Sequence, residues 1–401
     1  MISVGEAFRT ILDSISDPET ETLKLENCYG RILAEDVVSD IAMPPFDRSA
    51  MDGFALRGVS DLYELLPEIP AGSEPASIDK DGQAAPIMTG APVPRGADRV
   101  VMVEATETEA GMVRVKTLPK IGENICFMAE DIEKGQTVLE KGTLLTPAEV
   151  GIASMAGSCI LRVFKRPSVS IVTTGSEVIS PSEVPGPGQV RNANAPLMES
   201  FLSMNGFPPS AVLHSIDDPS CLRKTVLDAA EVSDIIITAG GISMGTRDYI
   251  PEVFMDLGYR FKFRSVAQKP GKPLSFASGR RLMFGLPGNP VSVLVALESY
   301  VLPALRYASG HKNYRRVPLS GILTTPLVKK AGRQYFYRCR AFREGGNWKL
   351  SVPETSGSGD LMSTASTNCL AWLSAESTGA AKGQPVPFTL MSWAGGESVW
   401  E

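Results

Sequence analysis

The fold is decided by the stretch LMFGLPGNPVSVLVALESYVLPALRY at residues 282–307. A short apolar run ends in a Pro-Gly turn, and a long apolar segment with helical spacing follows it. Two similar runs come earlier, SVSIVTTGSEV at 168–178 and SDIIITAGG at 233–241, and each precedes a helix-like segment. Buried strands that alternate with helices predict a doubly wound α/β sheet, parallel and covered by helices on both faces. Ligands of such sheets bind at the carboxyl ends of the strands.

The regions on either side of this α/β segment have different patterns. Near the N-terminus an apolar face recurs at helical spacing, and Thr146, Pro147 and Glu149 form a capping box with proline at the first helical position. The region between these two signals is rich in glycine, proline and short β-like runs, as is the C-terminal region. We therefore predict a multidomain α/β plus β chain. Its domains are a helical domain at 1–38 and 134–166, an inserted β-rich domain at 39–133, the α/β domain at 167–308 and a C-terminal β-barrel at 309–401.

Composition excludes several classes of protein. The 401 residues carry a net charge of −6 and are 43% hydrophobic, which is typical of a folded chain and gives no support to a nucleic-acid partner. Two histidines nearly exclude a multi-histidine metal site, and the six cysteines form no CxxC or other close pair. The N-terminus lacks the pattern of a signal peptide, and no apolar run approaches 18 residues. We expect a cytoplasmic protein that does not enter the membrane.

Three strand-to-helix loops share a pattern in which an apolar strand runs into glycine and then into polar residues. Glycines let backbone N–H groups approach a ligand, and a helix N-terminus favours an anion there. One such loop is expected of any strand-to-helix turn, but three at one edge favour a phosphate- or nucleotide-containing ligand. None is a P-loop, and no GxGxxG supports a nicotinamide fold. The candidates are Thr174, Gly175, Ser176 and Glu177, then Gly240, Gly241 and Ser243, then Pro287, Gly288, Asn289 and Pro290.

Charged residues near these loops suggest one site that binds a metal ion and one that binds an oxyanion. Asp217, Asp218 and Asp248 follow predicted strands, where carboxylates commonly hold Mg²⁺. The alternative for the DDPS run is helix N-capping by aspartate. In QKPGKP, Lys269 and Lys272 flank a stiff Pro-Gly turn that suits an oxyanion, and an ordinary solvated turn is an equal alternative.

Polar residues in the inserted and C-terminal regions are further candidates. MPPFDRSAMDGFA at 43–55 places Asp47 and Asp52 five residues apart, either as groups that bind a metal or orient an oxygen, or as part of a capped linker. Thr89 and Asp131 lie in similar turns. In the C-terminal region, either the arginines grip an oxyanion or they occupy the exposed face of a strand. These C-terminal candidates are Arg333, Arg338 and Arg340, with a glycine- and serine-rich segment at 357–366.

Taken together, the motifs resemble the molybdopterin molybdenumtransferase family, which includes bacterial MoeA and the gephyrin E domain. The resemblance covers essentially the whole chain, and the order of the motifs is more specific than any single one. The motifs are, in order, PPFDRSAMDGFA, IMTGAPVP, AEDIEKG, TTGSEV, GGISMGTRDY, KPGKP and LPGNPVS.

The resemblance implies four domains and an elongated homodimer. It places the active site between the α/β and barrel domains of one subunit and the inserted domain of the other. It also implies that adenylylated molybdopterin is joined with molybdate, that AMP is released as the molybdenum cofactor forms, and that Mg²⁺ is the cofactor. Molybdopterin adenylyltransferase and molybdoenzyme targets are the implied partners.

The resemblance also implies roles for individual residues. The implied catalytic residues are Asp52, Asp131, Lys269 and Lys272. The implied substrate-binding residues are those of the three loops with Thr89, Arg333 and Ser358, and the implied metal ligands are Asp217, Asp218 and Asp248.

Two residues depart from the family's usual FDNSAMDGYA segment. Arg48 replaces asparagine and adds a cation beside Asp47 and Asp52, and Phe54 replaces tyrosine and removes a hydroxyl. Because neither change removes Asp52, we keep the predicted activity.

Two rival functions remain. One is a molybdopterin adenylyltransferase or another hydrolase built on the same α/β domain, against which the long N-terminal half argues. The other is a non-enzymatic scaffold that clusters a partner, as the gephyrin E domain also does. The sequence shows no fused adenylyltransferase domain, which weakens the scaffold hypothesis.

Overall fold

The computed structural model of the chain describes residues 1–70, 72, 76–241, 249–355, 357 and 359–394. Three predicted site residues, Ser243, Asp248 and Ser358, lie outside these described residues. The chain divides into two compact units, of which the first is Met1–Glu21 with Phe164–Glu401 and the second is Thr22–Val163. The boundaries of the four predicted domains stay a prediction.

Helices and strands are numbered here in chain order. The α-helices are α1 (Val4–Leu12), α2 (Pro147–Met155), α3 (Asn194–Met204), α4 (Pro219–Val232), α5 (Ile250–Asp256), α6 (Pro290–Ala296) and α7 (Leu302–Ala308), with a π-helical turn at Leu297–Val301. Short 3₁₀ turns lie at Leu25–Asn27, Val103–Ala105 and Met362–Ser366. The strands are β1 (Thr20–Lys24), β2 (Val37–Val38), β3 (Arg48–Ser49), β4 (Gly53–Leu56), β5 (Leu62–Leu65), β6 (Gln83–Ile87), β7 (Arg99–Met102), β8 (Thr106–Glu109), β9 (Met112–Val115), β10 (Ile125–Cys126), β11 (Thr137–Leu139), β12 (Ile160–Phe164), β13 (Val169–Thr174), β14 (Val178–Ile179), β15 (Val190–Arg191), β16 (Ala211–Ser215), β17 (Ile235–Ala239), β18 (Arg260–Phe263), β19 (Gln268–Lys269), β20 (Ser275–Ser278), β21 (Leu282–Leu286), β22 (Leu319–Leu323), β23 (Leu327–Val328), β24 (Gln334–Glu344), β25 (Asn347–Ser351), β26 (Cys369–Leu373), β27 (Gly379–Ala380) and β28 (Pro385–Leu390).

The first unit is built around a six-stranded sheet in the order β16-β13-β17-β21-β20-β18. The first four strands are parallel. Helices α3, α6 and α7 cover one face of the sheet, and α4 and α5 cover the other, which confirms the doubly wound α/β prediction. The sheet is not wholly parallel as predicted, because β20 and β18 add an antiparallel edge. The short turn at 279–281 joins β20 to β21 and leaves no room for the crossover that a parallel strand needs.

Helix α1 packs into the core of this first unit. Ser3 and Glu6 form a capping box at its start. The side chains of Ala7, Phe8 and Ile11 are buried with those of α3, α6 and α7. The predicted apolar face of the N-terminal segment is therefore confirmed, and it packs against the α/β core.

The segment from Pro290 to Ala308 forms the central helix of the α/β core. It is long and apolar enough to cross a membrane, but 72% of its most apolar window is buried inside the protein. The π-helical turn separates α6 from α7 and carries Glu298 and Tyr300, both of which bond to other parts of the first unit. Such turns occur often at functional sites.

The C-terminal strands form the predicted barrel. The ring β24-β25-β22-β28-β26 closes through pairing of β24 with β26. Strand β19, from the α/β part of the chain, runs parallel to the start of β24. Cys339 and Cys369 lie opposite each other on β24 and β26 as free, fully buried thiols. Its hydrogen bond with Cys339, and then burial, raise the pKa of the Cys369 thiol, so it packs as an inert group.

The second unit holds the predicted β-rich insertion. Its main sheet has the order β7-β4-β6-β5-β9-β8, and β3 pairs with β10 and β2 with β11. Helix α2 begins at Pro147 after the predicted capping box of Thr146 and Glu149. Phe54 is 8% exposed and packs with Leu56 and Tyr63, so the departure from tyrosine lies in an apolar core.

Candidate functional site

The three predicted loops converge at one edge of the α/β sheet. The N–H of Gly240 donates to the carbonyl oxygen of Leu286 at 3.2 Å, which joins the second and third loops. A Cβ on Gly240 would lie 2.7 Å from the carbonyl oxygen of Thr174 and 2.9 Å from its hydroxyl. Glycine is therefore required at position 240, where the backbone also has a positive φ of 98°.

The first loop contains a buried hydroxyl beside these glycines. Thr174 is 6% exposed, and its Oγ1 has no hydrogen-bond partner within the described part of the chain. A Cβ on Gly241 would lie 2.8 Å from this oxygen. A buried polar atom without a partner is costly, so Thr174 is a group that gains from a bond to a ligand or water.

Two of the three predicted metal ligands have different environments. Asp217 and Ser176 bond reciprocally: the Ser176 N–H donates to Asp217 Oδ2 at 3.2 Å, and the Asp217 N–H donates to Ser176 Oγ at 3.0 Å. Asp218 caps α4, where its Oδ1 accepts from the Cys221 N–H at 2.9 Å. Hydrogen bonds from Ser220, and then from Cys221, lower the pKa of Asp218. The alternative of N-capping thus describes the position of Asp218.

Among the described residues, no group of three His, Cys, Asp or Glu side chains is placed to hold a metal ion. Asp217 offers one carboxylate at the strand ends, and Asp218 is engaged as a helix cap. Asp217 is thus the described carboxylate that is placed to contact Mg²⁺, which in proteins takes one or two carboxylates and completes its six ligands with water and substrate phosphates.

The third loop is fixed by a residue that sequence reasoning missed. Asn194, at the start of α3, donates from Nδ2 to the carbonyl oxygen of Gly288 at 2.7 Å. Asn289 occupies the N-cap position of α6, and Pro290 is its first helical residue, as predicted. The signal for Asn194 was weak because an asparagine before a helix is an ordinary cap.

The KPGKP turn lies beside this third loop. Lys269 and Lys272 are exposed, and Gly271 between them is buried with a φ of 86°. A Cβ on Gly271 would lie 2.9 Å from Gln268 Nε2 and 3.7 Å from Ser292 Cβ in the first turn of α6. The structure therefore brings the lysine turn to the same edge of the sheet as the PGNP loop.

Three cations surround one aromatic ring next to that turn. Lys269 Nζ, Lys329 Nζ and Arg333 Cζ lie 5.2, 5.1 and 5.9 Å from the centre of the Tyr335 ring. Such distances allow cation–π attraction. Lys269 and Arg333 were predicted from distant segments of the sequence, and pairing of β19 with β24 brings them together. We call Lys269, Lys329 and Arg333 the Tyr335 cation cluster.

Lys329 is the member of the cluster that the sequence did not indicate. It is 6% exposed, and its ammonium donates to the carbonyl oxygens of Arg333 at 3.0 Å and of Lys330 and Ala375 at 3.4 Å. The side chain therefore fixes the backbone of the turn that carries Arg333. Lys330, its neighbour in sequence, is exposed.

Arg338 organises the barrel segment that leads to Ser358. It is 9% exposed, and its guanidinium donates to the carbonyl oxygen of Asp360 at 2.7 Å and to the hydroxyls of Thr364 at 2.6 Å and Thr355 at 2.9 Å. Burial lowers the pKa of Arg338. Arg338 is therefore neither an oxyanion ligand nor an exposed strand residue, the two alternatives from the sequence, because its guanidinium holds a loop.

A groove of about 320 Å³ lies beside that barrel segment. Leu197 and Phe201 of α3 and Leu294 of α6 line one side, and Leu361 and Thr364 line the other. The barrel segment held by Arg338 therefore faces the helices that begin at the strand ends.

In the second unit, the predicted acidic loop is joined to its two neighbouring motifs. Asp52 accepts from Thr89, and the backbone N–H of Asp131 donates to the carbonyl oxygen of Met43 at 3.0 Å. Asp47 accepts from the Met128 N–H at 2.7 Å. The segments 43–55, 88–94 and 129–135 therefore lie side by side, with Asp52, Thr89 and Asp131 exposed.

The doubly wound domain, with its three converging loops and the barrel joined to it, belongs to a class described as molybdopterin-binding. Residues 170–307 match the family described as "Probable molybdopterin binding domain". Residues 2–157 match "MoeA N-terminal region (domain I and II)", and residues 320–391 match "MoeA C-terminal region (domain IV)".

Similarity to known proteins extends over the full chain. The chain is 32% identical over 401 residues to a molybdopterin molybdenumtransferase of Staphylococcus aureus, and the match covers 97% of this chain and 95% of the relative. It is 34% identical over 389 residues to one of Nostoc sp., covering 92% and 88%. A molybdopterin biosynthesis MoeA protein from Pyrococcus horikosii superposes with a TM-score of 0.80 at 26% identity, covering 97% and 99%. The chain belongs to the molybdopterin molybdenumtransferase family and inserts molybdenum into molybdopterin in molybdenum cofactor biosynthesis.

Proposed function

We propose that the substrate is adenylylated molybdopterin and that molybdate insertion is accompanied by release of AMP. The three loops bind the phosphates of the substrate through backbone N–H groups and the hydroxyl of Thr174. Lys269, Lys272 and Arg333 hold molybdate close to the dithiolene sulfurs. Fixing both reactants makes the attack effectively unimolecular, which is a large contribution to such catalysis.

The Tyr335 cation cluster is the observation that carries this proposal. The net charge of the chain is −6, so attraction of two negatively charged substrates must be local. The cluster concentrates three cations next to the PGNP loop. Lys269 and Arg333 can donate to a tetrahedral oxyanion, while the buried Lys329 holds the turn that carries Arg333.

We further propose a requirement for Mg²⁺, with Asp217 and Asp248 as the carboxylates that would hold it. The ion would offset charge on the phosphoanhydride when bound. Asp218, as the cap of α4, is the weaker candidate of the three predicted ligands.

A cytoplasmic homodimer is the proposed assembly. In it, Asp52, Thr89 and Asp131 of one subunit act at the site of the other, and the protein exchanges substrate and product with a molybdopterin adenylyltransferase and with molybdoenzyme targets. Mixing of two impaired subunits tests the shared site: Asp52→Asn chains co-expressed with Lys269→Ala chains should regain activity at limiting molybdate in heterodimers. No gain over either variant alone would contradict a site shared between subunits.

AMP release provides the test of the reaction. The purified protein should release AMP from adenylylated molybdopterin in a molybdate-dependent manner, and it should consume no ATP. We expect Lys269→Ala and Lys272→Ala to raise the molybdate KM by about tenfold or more, since each removes a charge-assisted contact. Lys382→Ala, at an exposed barrel lysine, is the control. ATP consumption without AMP release would favour the adenylyltransferase alternative.

A further inference from the structure

Gln268 connects the lysine turn to the interior of the protein. It is 0% exposed, although the neighbouring Lys269 is exposed. Its Nε2 donates to the carbonyl oxygen of Gly271 at 3.2 Å, which closes the KPGKP turn from inside. The same carbonyl accepts from the Leu274 N–H at 3.2 Å, so the buried amide adds a side-chain bond from the core to a turn that backbone bonds also close.

Tyr300 fixes that orientation. Its hydroxyl, on the π-helical turn of the central helix, donates to Gln268 Oε1. Tyr300 is also 0% exposed, and burial raises the pKa of its hydroxyl above the ordinary value, so the group stays a donor. The amide of Gln268 thus has one partner on the central helix and one on the turn.

We propose that Tyr300 and Gln268 are positioning residues for molybdate binding, acting through Lys269 and Lys272. The inference rests on the proposed role of these lysines. Neither Tyr300 nor Gln268 reaches solvent, so neither is a substrate contact. Their effect is to hold the two exposed ammonium groups at a fixed separation before molybdate arrives.

Removal of the Tyr300 hydroxyl would affect the lysine turn as well as the packing of the core. Loss of the Tyr300 hydroxyl leaves Gln268 Oε1 buried without a partner, which is unfavourable. The amide can relieve this by rotating, but rotation withdraws Nε2 from Gly271. The turn then keeps its backbone bonds from Leu274 and Val266 but loses its side-chain bond to the core, so it is less ordered and binding carries the additional cost of ordering the two lysines.

Tyr300→Phe tests the proposal with the smallest change, and Tyr259→Phe is its matched control. Tyr259 lies in the same α/β domain, is 4% exposed, and has a hydroxyl without a partner in the described residues. For Tyr300→Phe we expect the molybdate KM to rise about fivefold, which corresponds to the loss of one buried hydrogen bond. The kcat and the KM for adenylylated molybdopterin should stay unchanged. Tyr259→Phe should leave all three values at wild type.

A double variant separates positioning from stability. Tyr300→Phe with Gln268→Met removes both partners with little change in shape, so its Tm should stay closer to wild type than that of Tyr300→Phe alone. The molybdate KM should nevertheless remain raised, because the Gly271 carbonyl keeps its backbone bond from the Leu274 N–H but lacks the side-chain bond from the core. A molybdate KM that returns to wild type with the Tm would show that the pair is only structural and would overturn the proposal.

Equilibrium dialysis with molybdate alone gives a readout independent of turnover. Binding should weaken in Tyr300→Phe by the same factor as the KM. If Lys269→Ala and Lys272→Ala leave binding unchanged, the proposed function of the lysines is wrong. If those variants weaken binding and Tyr300→Phe does not, only the positioning inference is wrong.

Discussion

Asp52 accepts two hydrogen bonds from Thr89, one from its backbone N–H at 2.7 Å and one from its hydroxyl at 2.9 Å. Both bonds end on Oδ1, which leaves the other carboxylate oxygen exposed. The backbone bond, and then the hydroxyl bond, lower the pKa of Asp52 below its usual range. Thr89 therefore keeps Asp52 ionised and fixed in direction.

We predict that Asp52→Asn lowers molybdenum insertion by about 10²-fold, in the range found when a positioned acid–base group is lost. The asparagine oxygen can still accept both bonds from Thr89, so the loop should keep its conformation and the variant its Tm. The measurement is AMP release at saturating molybdate. Full activity in Asp52→Asn would refute a role for the charge.

Thr89→Val and Thr89→Ser form a matched pair for the hydroxyl. Valine removes one of the two donors and keeps the backbone donor, so we expect a smaller loss of about fivefold, equivalent to one hydrogen bond. Serine retains the hydroxyl and should stay close to wild type. A loss in Thr89→Ser with wild-type activity in Thr89→Val would indicate that the methyl group, not the hydrogen bond, matters.

The buried ammonium of Lys329 should stabilise both the barrel and the oxyanion site. Lys329→Met keeps the aliphatic stem but removes the ammonium that bonds three carbonyl oxygens, of which that of Ala375 still accepts from the Gly332 N–H, and we expect a cost of about 1–3 kcal/mol of unfolding free energy. The molybdate KM should also rise, because the Arg333 turn loses its clamp. Denaturant unfolding and AMP release measure the two effects. Lys330→Met, at the exposed neighbour, should change neither quantity.

Local signals explain what could be predicted of the fold. The stretch at 282–307 specifies a strand, a turn and a helix because apolar spacing and Pro-Gly punctuation act within a few residues. The same signals could not reveal that Tyr300 bonds to Gln268, 32 positions away, since only the folded core brings them together. The antiparallel strands β18 and β20 were missed because they are short and flank a polar turn.

The candidate site likewise contains residues that the local sequence predicts and residues whose roles depend on the folded chain. The glycines of the three loops could be predicted because a close approach of backbones demands glycine, and the Gly240–Thr174 distance confirms that reason. Lys329 could not be distinguished from Lys330 by sequence, because only the fold decides which of two adjacent lysines is buried. Arg338 was considered as an oxyanion ligand or an exposed strand residue, and its loop-holding contacts depend on strand pairing that the sequence does not specify.

His311 should make stability sensitive to acid. Burial, and then the charges of Arg306 and Arg166, lower its pKa from 6.5 to about 4. Between these values the unfolded chain binds a proton that the folded chain does not, so stability falls as pH drops from 6.5 to 4. Because the side chain is partly exposed, we expect a contribution of about 1–2 kcal/mol. His311→Gln should lose stability less steeply over this interval in denaturant titrations, whereas Lys382→Ala should follow wild type.

Substitutions at the adjacent acids Asp217 and Asp218 should have different effects, on the Mg²⁺ requirement at Asp217 and on stability at Asp218. Asp218→Asn changes a helix cap, and because asparagine also caps well, both the Tm and the Mg²⁺ requirement should stay close to wild type. Asp218→Ala removes the cap and should lower the Tm, with little effect on the Mg²⁺ requirement. Asp217→Asn keeps an oxygen that accepts from the Ser176 N–H but removes a negative charge from the strand ends. The Mg²⁺ concentration for half-maximal AMP release should therefore rise about tenfold or more, as it does when a metal ligand or a residue that orients one is lost. The reverse result, with Asp218→Asn needing more Mg²⁺ and Asp217→Asn behaving as wild type, would assign the metal to the helix cap and reject Asp217.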